Sequence, residues 1–101
     1  MIINAPIKFR LMELFEEEGP VWNYEVILRV MEEYNMHSQY QQQMVNYDLI
    51  EMVSAGFLTE EESVVDTEGR FHKDHLLMKY QITNLGIETV DGLKKKVKHY
   101  E

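Results

Sequence analysis

The feature that most limits what this chain can become is a change of period at Gly56. Before it, apolar residues recur every three or four positions, the spacing of one helical face. After it, FLTEEESVVD and HLLMKYQIT alternate partly and are enriched in β-branched and aromatic residues, the pattern of strands. Helices first and a hairpin afterwards predict an α+β fold.

Within the helical part, Ile7, Leu11, Leu14 and Phe15 share one face of a first helix, which ends near Glu18 because Gly19-Pro20 cannot continue it. Tyr24, Ile27, Leu28 and Met31 repeat the pattern in a second helix, with Asn23 as its cap. Ser38 offers the N-cap of a third, in which Val45, Leu49, Met52 and Val53 face inward and Gly56 closes the end in a left-handed conformation. The turn-prone DTEGRFHKD makes the hairpin tip long and mobile. Leu85, Val90, Leu93 and Val97 then place a last amphipathic helix over 84–100, weakened at Gly86 and Gly92. The expected architecture over 1–101 is one winged helix-turn-helix domain: three helices, a two-stranded β wing and a C-terminal helix.

Composition narrows the chemistry. A chain of 101 residues holds one modest core and no second interior. With no cysteine there is no disulfide, thiolate metal site or cysteine nucleophile, which fits a cytoplasmic location. The N-terminal stretch meets acidic residues too soon for a signal peptide or a membrane span, so no membrane partner is expected. There is no Gly-rich phosphate loop and no serine in an elbow sequence, and the runs at 16–18 and 60–62 read as surface charge. Neither an enzyme nor a cofactor is expected. His72, Asp74 and His75 on the tip supply two imidazoles and one carboxylate without a fourth ligand, too few for a zinc site.

Net charge is −8, unevenly placed: residues 1–68 hold 14 acidic and 3 basic side chains, residues 69–101 hold 4 and 7. An acidic body repels nucleic acid at long range, so contact with DNA requires local positive patches.

The stretch GPVWNYEVILRVMEE resembles the start of the PadR-type transcriptional regulators, in which Gly-Pro is followed by Tyr-Glu, an aliphatic pair and an arginine; here these are Gly19, Pro20, Tyr24, Glu25, Ile27 and Arg29. VSAGFL is similar to that family's step from the third helix into the wing, and KYQITNLG to its exit strand. The resemblance covers roughly residues 8 to 93 and implies a winged-helix regulator of transcription. Where that family has a threonine-leucine-tyrosine run, this chain has Met44, Val45 and Asn46, so that contact motif does not carry over.

Projected at about 100° per residue, the third helix turns Gln39, Tyr40, Gln43, Asn46, Tyr47 and Ile50 away from its core stripe. Gln and Asn pair with the adenine edge, tyrosine donates to phosphate, and apolar groups meet a thymine methyl. Positive charge must then come from Arg70 and Lys73 on the wing tip, with Lys79, Lys8 and Arg10 as further candidates. The expected partner is double-stranded DNA, bound by a homodimer joined through the first and last helices, with Lys94, Lys95, Lys96 and Lys98 opposing the last helix's dipole. An alternative from another class is a winged-helix protein-interaction module, supported by the acidic balance of the first 68 residues. A metal-responsive repressor would rest on the wing histidines alone.

Overall fold

The computed structural model describes residues 6–96. Helix α1 (Ile7–Glu18) is the centre of the packing, buried without interruption from Phe9 to Phe15. A helix covered on so many sides also takes its polar residues inside, and these must be paired there. Arg10 donates from Nε and Nη2 to the two carboxylate oxygens of Glu33 at 2.7 and 2.9 Å, and its Nη1 reaches Glu13 at 3.3 Å. Gly19, at φ +76°, ends the helix by donating its N–H to the Phe15 carbonyl at 3.0 Å.

Beyond Pro20 the chain stays extended as β1 (Val21–Trp22), and α2 (Asn23–Glu33) follows at once. Trp22 occupies the N-cap position expected for Asn23; the buried Asn23 instead uses Oδ1 to accept from the amides of Tyr24 (2.9 Å) and Met78 (3.2 Å). Val26, Ile27, Val30 and Met31 form the buried face, whereas Leu28, expected inside, is 47% exposed. Both sets keep a three- and four-residue spacing, so periodicity alone does not tell which arc meets α1 and α3.

The ends of α3 (Gln39–Ser54) follow the sequence closely. Ser38 Oγ accepts from the Gln41 amide at 3.0 Å, while Gln41 Oε1 accepts from the Ser38 amide at 3.1 Å, a capping box. At the other end Gly56, φ +85°, donates to Val53 and Phe57 donates to Met52, the paired bonds of a Schellman motif. Val45, Leu49 and Met52 are buried as expected.

Strands β2 (Leu58–Val65) and β3 (Leu76–Ile82) pair antiparallel from Leu58↔Ile82 to Val65↔Leu76, with an irregularity between Glu60 and Glu62. The sheet has three strands rather than two, in the order β1-β3-β2, because Val21 and Trp22 pair with Tyr80 and Lys79. A two-residue strand has no period to reveal it. The hairpin tip is tied rather than loose: the buried Asp66 carboxylate accepts from the amides of Arg70, Phe71 and His72, each at 2.8 Å.

Thr83 caps α4 (Asn84–Lys94) by accepting from the Gly86 amide at 3.0 Å. Gly86 lies so close to the hairpin that a Cβ there would stand 2.5 Å from the Phe57 carbonyl oxygen. The helix stops at Lys94, short of the expected 84–100; Gly92 and three consecutive lysines weaken its end, and residues 97–100, Val97 and Lys98 among them, lie outside the described residues. Val90 is fully buried, Leu93 packs against the same core, and Lys94 Nζ meets Glu16 at 2.6 Å. Of the residues expected to join two copies, Val90 and Leu93 therefore pack within one chain, while Leu85 stays 49% exposed. The described residues form four helices and a three-stranded antiparallel sheet, and none of these helices is long and apolar enough to cross a membrane.

Candidate functional site

The inward stripe of α3 decides what the rest of that helix shows to solvent. With Val45, Leu49 and Met52 in the core, Gln39, Gln43, Asn46, Tyr47 and Ile50 point outward along one side. The hairpin rises beside them. On β3, Leu76, Met78 and Tyr80 share a face by strand alternation, and the Asp66 anchor folds Phe71, His72 and His75 over the same side. Between helix and hairpin lies a cleft of about 710 Å³.

Among the described residues no lysine, arginine or glutamate lines the cleft, and Asp74 is the only carboxylate that does. Amides of Gln39, Gln42, Gln43 and Asn46 provide both donors and acceptors, while Tyr47, Ile50 and Leu76 expose 65%, 45% and 59% of their surface. The rings of His72 and His75 meet edge to face, 3.7 Å between centroids, and the buried Nδ1 of His72 has no hydrogen-bond partner among the described residues. Burial tends to raise the Asp66 carboxyl, but the amides of Phe71, Arg70 and His72 outweigh it and hold it below the usual aspartate range. The anchor of the hairpin side is thus ionised at neutral pH.

The sequence-predicted residues divide between surfaces. Gln39, Gln43, Asn46 and Tyr47 line the cleft, and Tyr40, 71% exposed, stands on the first turn of α3 outside its lining. Arg70 lies on the other face of the hairpin, in a smaller hollow of about 290 Å³ with Trp22, Tyr24 and Leu77. There its hydrogen bond to Tyr24, aided by Glu68, raises its pKa further. Lys73 is exposed on the tip and has no ion pair among the described residues. The remaining cation candidates are engaged elsewhere: Arg10 is buried with Glu33, Lys8 pairs with Glu51 at 3.4 Å, and Lys79 sits 5.9 Å from the Trp22 ring centre.

Sequence reasoning missed His72 and His75 as partners of α3. The histidines were visible in RFHKDH, but only the Asp66 contacts and the β3 register bring them beside Gln43 and Asn46. No group of three or more His, Cys, Asp or Glu side chains among the described residues is placed to hold a metal ion. The chain matches no family model, no curated protein and no solved structure.

Proposed function

We propose that this chain is a winged-helix DNA-binding regulator of PadR-like type, with α3 as the reading helix and the β2–β3 hairpin as the wing. The observation that carries the reading is the cleft, where Gln39, Gln43, Asn46 and Tyr47 stand on one solvent-facing side of a helix flanked by a hairpin. The element order supports it: α2 packs on α3, and β1 closes the hairpin sheet behind them. Side-chain amides suit the N6 and N7 edge of adenine, and Ile50 suits a thymine methyl. Occupancy of an operator would be the mode of action.

A second reading is favoured by a specific observation. Tyr40, Met44, Tyr47, Ile50 and Leu76 are all exposed by 45% or more around a cleft that lacks lysine and arginine, a surface that suits a protein partner.

Selection from a pool of random duplexes, followed by anisotropy titration at low and near-physiological salt, separates the two. The DNA reading expects an enriched A·T-containing site, with Gln43→Ala or Asn46→Ala costing roughly 1–3 kcal/mol at particular base pairs. Lys73→Ala should weaken all sequences about equally and flatten the salt dependence. A two-fold repeat in the enriched site would report two copies on the DNA and a single half-site one copy. Absence of binding at low salt would overturn the DNA reading and leave the protein-binding one.

A further inference from the structure

The cleft poses a charge problem that its own residues can answer. Neutralising phosphates is the main source of affinity for a nucleic acid, yet no lysine or arginine lines this surface among the described residues. Arg70 faces the other side of the hairpin, and Arg10 and Lys8 are held by carboxylates. What the cleft does contain is a pair of imidazoles in edge contact, on the tip segment that also carries the exposed Lys73. Imidazole is the one side chain whose ordinary titration falls between pH 5 and 8.

We propose that His72 and His75 are the switchable cations of this surface, so that the cleft holds the nucleic-acid backbone in acid and releases it as pH rises toward 8. The inference rests on the DNA reading above and adds its regulation. The ionisable groups facing the two rings are few. Asp74 stands beside them on the tip, Tyr47 faces them from α3, and Tyr80 lies on the β3 floor with its phenol pushed up by burial and so neutral. Asp66 is adjacent but its oxygens are occupied by the amides of Arg70, Phe71 and His72. From α2 only the neutral Asn23 reaches the cleft.

A phosphate placed between helix and tip lies beside both rings, and its negative charge favours their protonated form. Binding and proton uptake are therefore coupled: the nucleic acid draws protons onto the pair, and the pair's charge strengthens binding. The sign is fixed. Phosphodiesters stay ionised across the range, so affinity rises as pH falls from 8 to 6.

The test is anisotropy titration of the full chain on duplex DNA at pH 6 and pH 8, each over a series of salt concentrations. Each imidazole that meets a phosphate adds about 0.9 to the log-log salt slope, so wild type should be steeper by about one to two at pH 6 and roughly tenfold tighter near 0.1 M salt. His75→Gln, at an exposed position, should remove most of that difference without changing the melting temperature, and His72→Gln with His75→Gln should remove it entirely. His37→Gln, whose ring contacts Asn35 at 2.8 Å away from the cleft lining, should leave it intact. DNA binding with equal affinity and slope at both pH values, or a pH effect that survives the double substitution, would overturn this inference and leave the DNA reading standing. No binding at pH 6 in low salt would overturn both.

Discussion

The two sides of the molecule treat charge in opposite ways. On the α1–α2–α4 side, cations are matched to carboxylates: Arg10 to Glu33 and Glu13, Arg29 to Glu18, Lys94 to Glu16. On the α3–hairpin side, amides, phenols and imidazoles stand open, and no ion pair crosses the cleft among the described residues. An acidic chain with ten lysines and arginines has little positive charge to distribute, and here much of it goes to holding helices together. Substitutions on the first side should therefore act on stability, and those on the second on recognition.

The largest expected effect comes from Arg10→Ala. It takes the guanidinium away from the buried Glu13 and removes the fork on Glu33, so urea denaturation should show a loss of about 3–5 kcal/mol. Arg29→Ala removes a half-exposed guanidinium from the same Glu33 and should cost no more than about 1 kcal/mol. The pair carries a pH signature as well. Arg10's hydrogen bonds hold the Glu33 carboxyl below its ordinary value despite partial burial, so its contribution is fully present above the unfolded-state value of about 4.3 and lost as pH falls through the lower folded value. In Arg10→Ala that part of the acid dependence should shrink to what Arg29 alone sustains. An Arg10→Ala protein as stable as wild type would break the contrast between the two sides.

Next in size is Ser38→Ala at the start of α3, expected to cost about 1 kcal/mol because the Gln41 amide loses its acceptor. It should also loosen the turn that carries Gln39 and Gln43, which makes it the one substitution that joins both sides. Tyr47→Ala, by contrast, should leave stability within about 0.5 kcal/mol, since 65% of that residue is exposed. Its effect belongs in the binding assay.

What the sequence reveals follows the same division. The end of α1 and both ends of α3 were legible because their signals are local: Gly19-Pro20, Ser38 and Gly56 each act within a few residues of where they are read. The outward residues of α3 were legible because one stripe defines its opposite. The rest depended on contacts distant in sequence. Arg10 looked like a spare cation until Glu33, 23 residues on, was seen to hold it. Val90 and Leu93 looked like a surface for a second copy until α1 covered them. Leu28 and Val30 exchanged places because helix spacing fixes a period and leaves the phase open. Half the cleft was hidden for the same reason, since His72 and His75 reach α3 only through the tip that Asp66 ties and through the pairing of β3 with β2.

The smallest expected effect is the most direct test of where charge is tolerated. Asp48 lies half-buried on α3, and burial raises its carboxyl, with Glu51 adding to the rise and Lys8 opposing it. A raised acid reverses the sign seen at Glu33: the folded state favours the neutral form, so stability is lost as pH climbs through the shifted value and stays lost above it. Asp48→Asn should therefore stabilise the protein at neutral pH, by no more than about 0.5 kcal/mol because solvent still screens a half-buried group. The gain should shrink to nothing below pH 4, where both side chains are neutral. The same change removes one negative charge from the helix proposed to approach phosphate, so affinity for all duplexes should rise modestly at low salt. Weaker duplex binding by Asp48→Asn would instead assign that carboxylate a contact with a base-edge donor such as the cytosine N4 amino group, and would make Asp48 part of the reading face.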